Sequence, residues 1–461
     1  MQENREMIQE NKMGVMPVGK LIFNISLPIM ISMLVQAMYN IVDSIFVAKL
    51  SENALTAVSL AFPMQSLLIA VAVGTGVGVN ALLSKSLGEK DYKKADETAS
   101  NGAFVFLLSY VLFLILGFTI VRPFYAGQVK TADPEILELG VDYLSVVMVV
   151  SFGMMGQILF ERLLTSTGKT VYSMISQLSG AVTNIILDPI LIFGLLGAPK
   201  LGVAGAAWAT VIGQCIGALV GFFCNLKFNH EVHLNFRGFR PNLSIIGTIY
   251  QVGIPSICMQ SIGSVMTYAM NLILIGFTST ATAVFGVYFK LQSFFFMPVF
   301  GLTNGITPII AYSYGARQRK RMVKTIRISM VVAAILLTLG CAVFVLMPEA
   351  LLKIFDASEA MCDIGNPALR TIALSFLFAW FSIVASTVFQ ALGKATFSLV
   401  ISVMRQLVIL IPVAFVLSKI GGLHTVWWSF PISDLIASAM SAVYLGKIYR
   451  DIIKPLPEGR E

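Results

Sequence analysis

Twelve apolar stretches constrain this chain more than any other feature. They run approximately over 21–47, 54–87, 98–120, 136–160, 170–196, 202–226, 243–275, 280–314, 327–347, 367–389, 397–418 and 424–446. Each exceeds the roughly 20 residues that a helix needs to cross the hydrocarbon of a bilayer. Connections are short except for charged ones near 88–97, 227–242, 315–326 and 348–366, and no separate soluble domain fits between them. Only 12% of the 461 residues are charged and 57% are hydrophobic, about half the charged share of a soluble domain. The expectation is an all-α membrane protein of twelve transmembrane helices.

Basic residues set the orientation. The two termini and the loops after even-numbered spans hold 23 of the 32 Lys and Arg, including the run Arg317-Gln-Arg-Lys-Arg321. Loops after odd-numbered spans hold six (Lys49, Arg122, Lys130, Lys200, Lys353 and Lys419). Cytoplasmic loops carry the excess of Lys and Arg, which places both termini in the cytoplasm. Scattered over loops rather than gathered in one patch, the net charge of +8 points to no nucleic-acid partner. The five cysteines form no close pair with metal or redox spacing, and only Cys362 falls in an expected external loop. Residues 1–16 are polar and contain no signal-peptide core, so the first span is expected to be retained.

The chain repeats itself. A shift of 227 places Pro28 on Pro255, Gln65-Ser66 on Gln292-Ser293, Gly74 on Gly301, Gly78 on Gly305 and Gly88 on Gly315. Gly168-Lys169 matches Gly393-Lys394 at a shift of 225, and Trp208 matches Trp428 at 220. Two six-helix lobes in parallel repeat are related by a pseudo-twofold axis along the membrane normal, an architecture of secondary transporters with a site between repeats. The expected parts are a cytoplasmic segment 1–20, an N-lobe 21–226, a linker 227–242, a C-lobe 243–448 and a cytoplasmic tail 449–461.

The halves differ where charge is concerned. Gln36, Asn40 and Asp43 share one face of span one, being four and three residues apart. A carboxylate in hydrocarbon costs roughly 2.5–3.5 kcal/mol on insertion scales and is a functional-site hypothesis by default. Asn184 and Asp188 lie one turn apart in span five, with Gln177 and Gly180 on the same stripe and Pro189 placed to kink the helix. A rise of about 1.5 Å per residue sets Asp43 some 6 Å, and Asp188 and Thr210 roughly 12 Å, from the outer ends of their spans. The three can therefore meet in one pocket. Two carboxylates there disfavour simultaneous ionisation, so the site can take up H⁺; with Asn184 and Thr210 as neutral donors it can equally hold Na⁺. Met270 replaces Asp43 in the second half, and Asp188 falls near Ile411 or Val413. Ion coupling thus belongs to the first half.

The second half offers cations instead. Lys290 either pairs across a cavity or snorkels to the surface, and Arg405 has Asp434 of span twelve as a structural partner. Gln260, Ser264, Thr267 and Asn271 form a polar stripe on span seven, read either as a cavity lining or as helix contacts. Phe294 to Met297, Met154-Met155 and Met38 are candidates for an adaptable apolar wall. Gly168-Lys169-Thr170 ends like a phosphate loop, but Leu163 stands where its first glycine belongs. Gly74-Thr-Gly-Val-Gly78 and the series Gly213, Gly217, Gly221 read as close helix contacts. The three histidines sit in or beside loops, and no hydrolase or zinc-protease motif occurs. Nothing supports an enzyme, a cofactor or a metal centre other than the Na⁺ option.

Taken in order, Leu27-Pro28 with Asn40-x-x-Asp43, the duplicated Gln-Ser segment, Asn184-x-x-x-Asp188-Pro189 and Lys290-Leu-Gln-Ser-Phe with Pro298-Val-Phe-Gly301 resemble the multidrug and toxic compound extrusion (MATE) family, and within it the MepA-like bacterial exporters. The likeness covers nearly the whole chain. It implies export of amphipathic, cationic drugs in exchange for inward H⁺ or Na⁺, by alternating access of two lobes in a bacterial cytoplasmic membrane. It also implies a coupling pocket at Asp43, Asn184, Asp188 and Thr210 with Asn40 beside it, and bending of span one near Pro28. Around Gly263 and Phe381 the chain lacks the carboxylates of the family's sodium branch with a second-lobe site. Gln36, Gln260, Lys290, Gln292 and Arg405 are the remaining cavity or gating candidates. The expected partners are a small organic molecule and the bilayer, and the expected state is a monomer. A lipid-linked saccharide flippase and, from another class, an ion channel remain as alternatives.

Overall fold

The computed structural model describes residues 11–128, 134–235, 239–355 and 358–458, apart from the side chains of Ala48 and Glu52. Lys130, and residues 1–10, 236–238 and 459–461 of the expected terminal segments and linker, lie outside them. Among the described residues there are helices and no strands. The principal ones are α1 (Val18–Ala48), α2 (Glu52–Gly88), α3 (Tyr92–Thr119), α4 (Pro134–Val149), α5 (Phe152–Ser166), α6 (Thr170–Phe193) and α7 (Val203–Phe228). They continue as α8 (Leu243–Ile275), α9 (Ser279–Gly315), α10 (Arg319–Leu346), α11 (Glu359–Ala373), α12 (Phe376–Ala391), α13 (Ala395–Ile420) and α14 (Ser429–Ile448).

Nine of these are long and apolar enough to cross a membrane, and the pairs α4 with α5 and α11 with α12 qualify when each is read as one broken span. The pairs bend by 42° and 48°. Each break falls at a buried serine, Ser151 or Ser375. The expected twelfth span corresponds to α14, whose 20 residues include the charged Asp434 and which is not among those eleven. Helix starts are written in the sequence. Ser51 accepts from the Ala54 N–H, Asp91 from Lys94 and Ser358 from Met361, satisfying donors that an α-helix leaves open. Gly168 and Gly393, the would-be phosphate-loop glycine and its repeat, take φ of 80° and 74°. They are turn residues, at a backbone angle that side chains disfavour.

The chain divides into two compact units, one made of residues up to Met30 and from Cys258 onward, the other of Ile31–Ile257. Both divisions fall inside helices, in α1 and α8, at positions 227 apart. In the first unit a methyl group on Gly301 would stand 2.5 Å from the Met30 Cα, and one on Gly305 2.4 Å from Ser26 Oγ. In the second, Gly74 would meet Ile257 Cγ1 at 2.5 Å and Gly78 the Ile249 carbonyl oxygen at 2.2 Å. The glycines matched by the sequence repeat thus let α9 press on the first half of α1, and α2 on the first half of α8.

The first unit has an aromatic core in which Phe285, Tyr288, Phe344, Phe376, Trp427 and Phe430 are all nearly inaccessible. Its basic run does more than mark a cytoplasmic loop. Arg321 is buried and donates to the carbonyls of Met13 and Met16, tying down the short helix Lys12–Val15. Arg319 and Lys320 hold the tail: their backbone N–H groups donate to the Pro457 and Glu458 carbonyls, and their side chains pair with the Glu458 carboxylate at 3.1 and 2.8 Å.

The tail clasp is pH-sensitive. The Lys320 ammonium, and then the Arg319 guanidinium, hold the Glu458 carboxyl below its ordinary value. A depressed carboxyl contributes above its unfolded pKa, and that contribution disappears as pH falls through the folded one. Hydrogen exchange of residues 449–458 is therefore expected to accelerate on acidification below the usual carboxylate range, and in Glu458→Gln at neutral pH to match the acid behaviour of the native chain.

Candidate functional site

The second unit brings together most of the acidic residues singled out in the sequence. On α6 the four-residue spacing sets Asn184 and Asp188 on one buried face, 3% and 0% exposed. Asn184 Nδ2 donates to Asp188 Oδ1 at 3.4 Å and to Thr210 Oγ1 of α7 at 3.2 Å. Close approach of α6 and α7 makes this contact available. A Cβ on Gly180 would lie 2.9 Å from the Gly213 carbonyl oxygen, and one on Gly213 2.7 Å from that of Gly180. Asp43 arrives from α1, half-buried, and its charge acts on Asp188. Two turns earlier, Gln36 Oε1 accepts from Gln177 Nε2 at 2.9 Å, fastening α1 to α6.

Three oxygens decide the chemistry. Asp43 Oδ1, Asp188 Oδ2 and Asn184 Oδ1 are buried and accept no hydrogen bond among the described residues. Buried polar atoms are nearly always satisfied, and an exception calls for a bound proton, water or ion. A carboxylate pair with an amide and a hydroxyl is a hard, all-oxygen donor set, suited to a proton or Na⁺ and unsuited to a soft transition metal.

Sequence reasoning overlooked four residues of this region. Glu161 falls just past the expected end of span four at 160; the bend at Ser151 carries α5 on to Ser166, and Glu161 lies within the helix. It accepts from Gln157 Nε2 at 2.9 Å, while Ser176, 3.5 Å away, gives its proton to the Gly217 carbonyl at 2.8 Å. Arg162, counted earlier with the cytoplasmic loop, is in the same helix, with its Cγ 3.0 Å from where a Cβ on Gly76 would be. Tyr39 lies in the electrostatic field of Asp43, Glu161 and Asp188. Tyr143 feels Asp43 and accepts from Gln65 Nε2 at 3.0 Å. Both tyrosines resemble ordinary apolar lining in the sequence; Gln65, a polar residue within a span, was the available signal.

The other candidates lie elsewhere. Asn40 is exposed, and its backbone carbonyl accepts from Ser44 Oγ at 2.9 Å. Pro28 is buried within α1 on the first-unit side of the division. Lys290 is exposed, with its ammonium 6.0 Å from the centre of the Phe355 ring, and makes no ion pair among the described residues. Gln260 is exposed and Gln292 half-buried. Arg405 Nε is 2.6 Å from Asp434 Oδ1. The supposed apolar wall is mixed: Met38 and Phe294 are more than half exposed, whereas Met154, Met155 and Phe296 are buried.

Comparison with known proteins bears on the sequence and the fold as a whole. The MatE family model matches residues 28–190 and 255–416. The multidrug export protein MepA of Staphylococcus haemolyticus (strain JCSC1435) is 30% identical over 432 residues, covering 93% of each chain. A multidrug resistance MATE family transporter of the MOP superfamily, solved in an outward-facing conformation, superposes with a TM-score of 0.90 at 25% identity, covering 97% of this chain and 99% of its own. A MATE protein solved in a bent conformation gives 0.87 at 26% identity over 95% and 96%.

Proposed function

This chain belongs to the MatE family, whose relatives are membrane transporters and not enzymes, and from that premise we propose that it is an antiporter exporting amphipathic organic cations in exchange for H⁺ or Na⁺ bound at Asp43 and Asp188. Drug efflux itself is what its multidrug-export relatives support. The coupling site is our reading, and the observation that supports it is the set of three unpartnered buried oxygens.

In the unloaded site Asp43 and Asp188 face each other's charge, which raises the free energy of that state. Binding one H⁺ or Na⁺ removes the repulsion. Asn184 divides its amide hydrogens between Asp188 and Thr210, which leaves its carbonyl oxygen aimed at the ion. The Gln36–Gln177 bond passes a change at the site to α1. Pro28 cannot donate to the carbonyl one turn before it, so α1 yields there more readily than elsewhere. The relative in a bent conformation fits such yielding. Twelve spans in two lobes, alternating access, monomeric function and cytoplasmic termini in a bacterial inner membrane complete the proposal. A saccharide flippase would call for a strongly cationic cavity, whereas Asp434 neutralises Arg405.

Proteoliposomes with separately imposed pH and Na⁺ gradients test this reading. Uphill movement of a fluorescent organic cation is expected under one of the two gradients. Ionic current without substrate exchange would overturn it in favour of a channel.

A further inference from the structure

The first unit has a recess of about 870 Å³ whose lining includes no residue of the ion site and neither member of the Arg405–Asp434 pair. It forms where α10 ends, the short helix Pro348–Lys353 follows and α11 passes beside them. Local sequence builds this corner. Pro348 opens the short helix, and Leu352 on it is fully buried. Gly365 of α11 makes the room, since a Cβ there would stand 2.7 Å from Leu352 Cδ1. With Gly365, Ala368, Leu369 and Ile372 turned inward, Asn366 and Arg370, one turn apart, fall on the flank of α11 that lines the recess.

The charges in it do not cancel. The short helix contributes Glu349 and Lys353, which pair with each other at 2.6 Å. Arg370 is exposed and makes no ion pair among the described residues. Asp363, two turns earlier on α11, is not part of the lining. One positive charge is therefore left over. Beside it, Asn366 Oδ1 is buried and accepts no hydrogen bond among the described residues, so a donor is wanted there.

The rim is apolar. Leu346 and Met347, where α10 gives way to the short helix, are each more than half exposed. Leu346 ends a row in which Val331, Ile335 and Leu339 are equally open. Spacings of four, four and seven keep this row on one face of α10, the face it offers to acyl chains. The recess stands at the end of that row, past the last apolar turn, where headgroups replace hydrocarbon.

We propose that the recess binds the headgroup of an anionic phospholipid. Its phosphodiester sits on Arg370, a headgroup hydroxyl donates to Asn366 Oδ1, and its chains lie along the α10 row. A guanidinium takes two phosphate oxygens through parallel N–H donors, and one negative charge answers the one left over. A zwitterionic lipid brings an ammonium that Arg370 repels. A soluble phosphate has no chains for α10 to receive.

The test adds phosphatidylglycerol, phosphatidylmethanol or phosphatidylcholine, with identical acyl chains, to the full chain in neutral detergent. Melting temperature and lipid retained in native mass spectrometry are the readouts. Phosphatidylglycerol is expected to stabilise at about fivefold lower concentration than phosphatidylcholine, the worth of one cation beside an anionic lipid. R370Q is expected to erase that preference, whereas K200Q, which removes an exposed cation of the other unit, keeps it. In N366A phosphatidylglycerol is expected to fall to the level of phosphatidylmethanol, which has no headgroup hydroxyl. A native chain that binds phosphatidylglycerol no better than phosphatidylcholine would overturn the proposal without recourse to any variant. A preference that survives R370Q, or that K200Q abolishes equally, would do the same. So would glycerol phosphate that displaces the lipid at equal concentration, which would make the recess a site for free anions.

Discussion

Asp188→Asn and Asp43→Asn each keep their fold and lose ion-driven export. Asparagine preserves the size of the side chain, and at position 188 its oxygen still accepts from Asn184 Nδ2, so the α6–α7 contact through Thr210 survives. What disappears is the negative charge that makes ion binding worthwhile. In one-for-one exchange of equal charges the ion's concentration gradient is the driving force, and a tenfold ion gradient, about 1.4 kcal/mol, sustains a substrate gradient of roughly tenfold. That gradient is expected to collapse to near unity in either variant, while passive exchange down the substrate's own gradient persists. Flux measured in proteoliposomes at matched protein content separates the two activities. Undiminished uphill export in Asp188→Asn would remove this residue from the coupling site.

Gly78→Leu is expected to have the largest effect on stability. Its first side-chain carbon would stand 2.2 Å from the Ile249 carbonyl oxygen, an atom of helix backbone that no rotamer change can move. Relief requires α2 and the first half of α8 to separate, breaking the contact that Gly74 makes with Ile257 as well. Overpacking of this kind costs about 3 kcal/mol or more when the obstacle is main chain. A lowered melting temperature in detergent and a small monodisperse fraction are the expected readings. Gly247→Leu and Gly286→Leu, where an added carbon meets nothing within 4 Å, serve as controls and are expected to behave as the native chain. A Gly78→Leu protein as stable as those controls would show that the two helices have slack that the close approach denies.

The sequence pointed to the residues of the proposed site more readily than to the ends of its helices. Asp43, Asn184, Asp188 and Thr210 were recoverable because a carboxylate in an apolar segment has few uses, and because 3.6 residues per turn puts positions 184 and 188 on one stripe. The same arithmetic included Asn40, which is exposed. Spacing defines a face but does not say how far round the helix its interior edge extends. Glu161 was missed because an apolar run looks finished at its first charges, and the bend at Ser151 has no loud local signal. The matched glycines were legible as a repeat. That Gly301 and Gly305 press on residues near the start of the chain, nearly three hundred positions earlier, was not, since a pattern along one helix does not name its neighbour.

That pairing bears on the order of assembly during synthesis. Val18 to Met30 leaves the ribosome long before the rest of its unit, which resumes only at Cys258. The opening turns must wait until α9 is made before they find their glycine-lined seat. Contacts so distant along the chain form late and leave apolar surface uncovered meanwhile. A chain cut at residue 242 would strand both helix halves without their seats, and its two fragments are expected to accumulate only when produced together.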